Sequence, residues 1–156
     1  MTRWLTEDEQ RAWLKLAGVM LKLAPTLDHQ LQQDSDLTHF DYLCLAMLSE
    51  DENHTLRMSG LAGRVNASLS RLSHVVSKLE KRGLVQRAPC PDSRRVTLVS
   101  LTEDGWQTLV KAAPGHVETV RSLVFDGLSQ EDVAALERIA GHIVGRIEQS
   151  ALDSTC

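Results

Sequence analysis

Serine and basic side chains recur on one side of a helix predicted in the middle of the chain. Ser68 is its expected N-cap, and the helix ends near Lys81, just before Gly83. The opposite side is apolar and is formed by Leu69, Leu72, Val75, Val76 and Leu79. Short polar groups near a helix N-terminus, followed by cations, suit the major groove of duplex DNA. The candidate DNA contacts on this helix are Ser68, Ser70, Arg71, Ser73, His74, Lys78 and Lys81.

These side chains offer two kinds of chemistry. Arg71 can hold guanine O6 and N7 with two hydrogen bonds, and the serines near it can meet base edges. His74 can contact either a base edge or a phosphate. Lys78 and Lys81 lie further along the helix, so we expect phosphate contacts that add affinity without specificity.

The neighbouring elements predict how this helix is held. A short helix over residues 59–65 and a turn at Asn66-Ala67 precede it. A hairpin follows, with strands over 84–87 and 96–101 and turn residues at 89–93. Arg94 and Arg95 fall near the hairpin tip, where they can enter a minor groove. This order is that of a winged helix-turn-helix.

The charge distribution agrees with a polyanionic partner. The whole chain has a net charge of −4. Residues 57–95 contain nine basic and two acidic side chains, a local +7, which leaves −11 for the remainder. Because the local field attracts a polyanion, the acidic total does not exclude DNA binding.

Long helices are predicted on both sides of this core. The first starts at the capping box Thr6–Glu9, with a kink or a break expected at Pro25. A second, buried helix runs from Thr38 to about Glu50, and two more start after Thr102 and at Ser129. The fold class is therefore mainly α with a small β-hairpin wing.

Three segments resemble the MarR family of transcriptional regulators: Leu79-Glu80-Lys81-Arg82-Gly83-Leu84-Val85, Asp92-Ser93-Arg94-Arg95, and Leu101-Thr102. The resemblance implies one domain over 1–156, with dimerisation helices at 1–36 and 103–156 and a DNA-binding lobe at 37–102. It implies a homodimeric, sequence-specific repressor of double-stranded DNA, released by a small ligand. A two-fold dimer would require a pseudo-palindromic operator.

The wing departs from the family pattern. The usual five residues between the wing arginine and the closing Leu-Thr select Arg95 and put Ser93 at the usual Asp position. Choosing Asp92 and Arg94 instead keeps Asp-x-Arg but needs one extra residue. We favour Arg95 as the groove contact, with Arg94 as the alternative.

Family members often bind a small phenolic compound between their dimerisation helices and their DNA-binding lobe. By that resemblance, the candidate lining of such a cleft is Trp13, Met20, His39, Tyr42 and Trp106, which are also ordinary core or interface types. Cys90, between two prolines at the wing, is the alternative candidate for a redox sensor. A winged-helix module that contacts only proteins is a further alternative.

Other function classes find little support. Asp34, Asp36, His39 and Asp41 could suggest a metal, but helix capping and solvation explain them, so no metal or other cofactor is expected. Six histidines occur without a zinc-protease motif, and no Gly-x-Ser-x-Gly appears, so an enzyme is not expected. Without a signal peptide or an apolar run of about 18 residues, we expect a cytoplasmic protein with no membrane partner.

Overall fold

The computed structural model describes residues 1–153, which form six α-helices, one π-helical turn and a three-stranded antiparallel sheet. This confirms a mainly helical chain with a small wing. No helix in that range is long and apolar enough to cross a membrane. The elements are α1 (Glu7–Ser35), α2 (His39–Ser49), β1 (Thr55–Arg57), α3 (Met58–Arg64), α4 (Leu69–Lys81), β2 (Val85–Cys90), β3 (Ser93–Leu101), α5 (Glu103–Val120), the π-helical turn (Arg121–Phe125) and α6 (Gln130–Asp153).

Helix α1 begins at the predicted capping box. The Thr6 hydroxyl accepts from the Glu9 N–H at 3.2 Å, and the Glu9 carboxylate accepts from the Thr6 N–H at 2.8 Å. The helix then continues through Pro25 to Ser35, so the chain does not break there. Proline removes only one backbone hydrogen bond, and 29 residues of helix tolerate that loss.

Helices α3 and α4 form the predicted helix-turn-helix. Asn66 turns the chain with a φ of 53°, and the Ser68 hydroxyl caps α4 by accepting from the Arg71 N–H at 3.2 Å. Leu72, Val76 and Leu79 of α4 are fully buried in a core shared with α2 and the sheet. Leu69 was expected with them but is 55% exposed, because it lies at the first position of the helix, beyond the edge of this core.

The sheet contains a strand that the sequence analysis did not predict. β1 pairs with β3, which also pairs with β2, in the order β1-β3-β2. Both hairpin strands are longer than expected, so Pro89 lies within β2 and not in the turn. β2 is an edge strand, where a proline is tolerated, and the register shifts between Pro89 and Cys90.

The link from α4 to α5 is tightly packed. The Thr102 hydroxyl donates to the Gly83 carbonyl at 2.6 Å and accepts from the Gly105 N–H at 3.0 Å. A Cβ on Gly105 would lie 2.0 Å from the Leu84 carbonyl oxygen. Only glycine allows this approach, which explains why residue 105, three positions after Thr102, is a glycine.

The chain divides into two compact units, Met1–Val117 and Glu118–Cys156. In the second unit, the Ser129 hydroxyl accepts from the Asp132 N–H at 3.1 Å and caps α6. The predicted division into dimerisation helices (1–36 and 103–156) and a lobe (37–102) stays a prediction. Residues 154–156 of that division lie outside the described residues.

Candidate nucleic-acid interface

The outer side of α4 is open to solvent along its length. Ser70, Arg71, His74 and Lys81 are exposed there, while Ser73 is half-buried. Because α4 completes a turn every 3.6 residues, burial of the inner side holds these groups outward. Ser68 is also exposed, although its hydroxyl oxygen already caps the helix.

Arg71 is oriented by an aromatic ring. Its guanidinium carbon lies 4.4 Å from the centre of the Phe40 ring at the start of α2. Such cation–π contacts stabilise a side chain by roughly 0.5–1 kcal/mol at exposed sites. The contact limits the positions that Arg71 samples while leaving its N–H groups able to donate.

Lys78 has a partner that the sequence analysis missed. Its ammonium donates to Asp41 Oδ2 at 2.7 Å, and that carboxylate is fully buried while the lysine side chain is 44% exposed. The same oxygen accepts from the Thr38 N–H at 2.9 Å, whereas Asp41 Oδ1 is buried without a hydrogen-bond partner. Asp41 was interpreted only as a helix cap. Its ion pair joins residues 37 positions apart, and no local pattern signals it.

Glu80, the acidic residue of α4, is paired with Arg87 of β2. Its carboxylate accepts from the Arg87 backbone N–H at 2.8 Å and from the Arg87 guanidinium at 2.9 and 3.1 Å. These hydrogen bonds lower the pKa of Glu80 and tie α4 to β2. The negative charge next to the outer face is therefore offset by an adjacent cation.

Both wing arginines are exposed at the start of β3. Arg95 lines a shallow groove together with Leu69 of α4 and Met58 of α3. Its backbone N–H donates to the Ser93 hydroxyl at 3.4 Å. Side chains of successive strand residues point to opposite faces, so Arg94 and Arg95 cannot both face this groove.

Comparisons with known proteins agree with this geometry. Residues 37–97 match the model of the MarR family. A MarR family regulator from Streptomyces coelicolor, Sco3205, solved in complex with DNA, is 40% identical over 92% of this chain and 89% of its own, with a TM-score of 0.88. AbsC, a MarR family regulator from the same species, is 42% identical over 92% and 99% of the two chains, with a TM-score of 0.84. This chain belongs to the MarR family.

A further relative is more distant. The transcriptional repressor MprA of Escherichia coli is 28% identical over 112 residues, which are 72% of this chain. The match spans 63% of the length of that repressor.

The predicted ligand residues of this MarR family member occupy three different places. Trp13 and Met20 lie exposed on the first half of α1, at 50% and 54%. The Trp106 ring stacks on His54, with ring centres 5.2 Å apart. His39 and Tyr42 both lie next to His116 of α5, with ring centres 5.6 and 4.2 Å from it.

His116 was not among the candidates, yet it is at the centre of this aromatic cluster. It is buried, and its Nδ1 lies 3.3 Å from Gln30 Oε1 of α1. Burial lowers the pKa of His116, and the nearby His39 lowers it further. Burial also lowers the pKa of His39 and raises that of Tyr42, so the cluster favours neutral rings.

Cys44 and Cys90 are buried, and two of the acidic residues that could suggest a metal are paired with basic side chains. Cys90 is only 9% exposed, at the end of β2. Burial raises the pKa of Cys44 to about 12, which keeps that thiol protonated. Asp36 and Asp41 bind Arg82 and Lys78, and within residues 1–153 no three His, Cys, Asp or Glu side chains are placed to hold a metal.

Proposed function

We propose that this chain is a sequence-specific repressor of transcription that binds double-stranded DNA as a cytoplasmic homodimer and is not an enzyme. The observation that carries the proposal is the outer face of α4. It is exposed, polar and cationic, its inner face is buried, and an arginine of the wing lies beside its N-terminus.

We assign roles along α4 by their distance from its N-terminus. Ser70, Arg71, Ser73 and His74 lie where base contacts occur in recognition helices. Arg71 fits a guanine, with roughly 1–3 kcal/mol of discrimination for a bidentate pair.

The remaining candidates contact the DNA backbone or the minor groove. Ser68 and Lys81 bind phosphates, and Lys78 reaches a phosphate only in competition with Asp41. Arg95 enters the minor groove next to the half-site that α4 occupies, and Arg94 binds the nearby backbone.

The homodimer is supported by apolar side chains that each unit leaves exposed. In α1 these include Trp13, Leu14 and Met20, and in α6 they include Ile139 and Ile147. Two copies would place their recognition helices about 34–36 Å apart, one turn of DNA, on a pseudo-palindromic operator.

Selection from random duplexes with the purified protein tests this function and gives the operator. We expect a two-fold symmetric site whose affinity falls steeply with salt. Arg71→Ala should lose more specific than non-specific binding, while Lys81→Ala should weaken both about equally. Absence of binding to every duplex at low ionic strength would refute the proposal, and the chain would then be a module for protein contacts.

Release by a small aromatic ligand is a second part of the proposal. His39, Tyr42 and His116 form a partly buried aromatic cluster between α1, α2 and α5 that can stack against a ring. A panel of aromatic acids should weaken operator binding, and Tyr42→Ala should reduce that response. Equal affinity with and without every compound would remove this part and leave DNA binding intact.

A further inference from the structure

Leu69 is an exposed apolar residue next to the polar side chains on the outer side of α4. It opens α4 between Ser68 and Ser70 and is 55% exposed, whereas Leu72 and Val76 on the same helix are fully buried. Exposing a leucine at the N-terminus of a helix gives no stability to the free protein. Single exposed leucines are common on protein surfaces, so the case for a partner rests on what surrounds this one.

The surroundings of Leu69 indicate what that partner is. It lies in a shallow groove between the start of α3 and the start of β3, with Met58 and Val96 as apolar neighbours. Arg57 and Arg95 line the same groove, and none of its lining residues is acidic. A groove with an apolar floor and cationic edges fits a partner that presents a small apolar group flanked by negative charges.

A second protein fits this groove poorly. The large exposed apolar side chains of unit Met1–Val117 concentrate on α1, where Leu14, Val19 and Leu21 are examples. Leu69 is instead the exposed large apolar side chain of α4, next to the candidate DNA contacts. Duplex DNA offers one matching group in the major groove, the C5-methyl of thymine, with phosphates on both sides.

We propose that Leu69 is a specificity-determining residue that packs against the C5-methyl group of a thymine in each half-site. This rests on the proposed function, since it needs α4 to enter the major groove. The first residues of a recognition helix are those that reach base edges, and Leu69 is the first residue of α4. The contact distinguishes thymine from cytosine without a hydrogen bond.

The test removes only the methyl group. In the selected operator, each thymine is replaced in turn by deoxyuridine, which keeps base pairing and every hydrogen-bonding atom. We expect one thymine per half-site at which this change weakens binding about fourfold, the effect of one buried methyl group. For Leu69→Ala, deoxyuridine at that position should change nothing, while the remaining thymines behave as in the wild type.

Ser70→Ala is the matched control because it changes the adjacent exposed position. It should weaken binding but keep the full response to deoxyuridine at the chosen thymine. Leu69→Ala replaces one good helix former by another at an exposed site, so its thermal unfolding should match the wild type. Selection with Leu69→Ala should also lose the preference for thymine at that position.

Three results separate the possible failures. If the wild type binds its operator and no thymine responds, or if the response persists in Leu69→Ala, this inference is wrong and the proposed function stands. If no duplex is bound at all, the proposed function fails and this inference fails with it.

Discussion

Helix α4 and the first half of α1 both leave a long face exposed, but the two faces have opposite chemistry. α4 buries Leu72, Val76 and Leu79 completely and exposes mainly serines, a histidine and cations. The first half of α1 exposes large apolar side chains: Trp13, Leu14, Leu16, Val19, Met20 and Leu21. Water hydrates the polar face in the free protein, and a polyanion can displace that water and its counterions. An apolar face is stabilised only when another apolar surface removes it from water.

The comparison indicates a division of work within one chain. α4 is held rigidly from within by core packing and by the pairs Asp41–Lys78 and Glu80–Arg87. The buried side chains of α1 are Leu27 and Leu31, both in its second half. Its first half has no buried side chain that would anchor it in the same way. We infer that DNA meets a preformed surface, while α1 acquires its packing from a second copy.

The largest expected effect comes from removing the apolar face of α1. Trp13→Glu combined with Met20→Glu puts two carboxylates on one side of the helix, because residues seven apart share a face. We expect dissociation, seen by light scattering as a fall in mass from twice 17.3 kDa to 17.3 kDa. Lys15→Glu with Lys22→Glu has the same spacing and should stay dimeric. A mass that is unchanged in the apolar variant would exclude this face as the contact.

Gly105→Ala tests the close packing between the start of α5 and the segment that follows α4. The added Cβ would meet the Leu84 carbonyl oxygen at 2.0 Å and a Leu101 methyl carbon at 2.8 Å. Backbone cannot yield as a flexible side chain does, so we expect a loss of about 3 kcal/mol in the free energy of unfolding, measured in urea. Gly18→Ala in α1 has nothing within 4 Å and should be neutral or stabilising. Equal behaviour of the two variants would contradict the close packing at Gly105.

Lys78→Met tests whether Lys78 mainly stabilises the fold through Asp41 or mainly binds DNA. It leaves the buried Asp41 carboxylate without its ammonium partner, which should cost about 2 kcal/mol of unfolding free energy. Lys81→Met is the matched variant one turn away and should cost less than about 0.5 kcal/mol. Lys81→Met should instead lower the salt dependence of DNA binding by about one unit. The reverse pattern would show that Lys78 meets phosphate and leaves Asp41.

The smallest expected effect is a pH dependence from the His116 cluster. Burial lowers the pKa of His116 and of His39 below the ordinary value of 6.5. The unfolded chain therefore binds protons that the folded chain does not, so this contribution to stability is complete well above pH 6.5 and is lost as the pH falls below it.

His116→Gln should make that fall shallower, whereas His29→Gln, at an exposed position, should leave it unchanged. Urea unfolding at several pH values measures the slope. An identical slope in all three proteins would mean that the cluster does not titrate as described.

Much of the fold could be read from short-range patterns. The apolar spacing of α4, the caps at Thr6, Thr38 and Ser68, and the end of α4 before Gly83 each involve residues within one or two turns. Local hydrogen bonds and helical periodicity act over that distance, so they are visible in the sequence. The family resemblance and the positive charge of residues 57–95 then predicted DNA binding.

What the sequence could not supply depends on pairs far apart in the chain. β1 exists because Thr55–Arg57 lies against β3, and three residues alone carry no strand period. The partner of Asp41, the burial of His116 and the exposure of Leu69 follow from which surfaces pack together. Periodicity assigns a residue to a side of its helix. Whether that side is covered at a given point depends on the neighbouring elements, and only the folded chain brings those together.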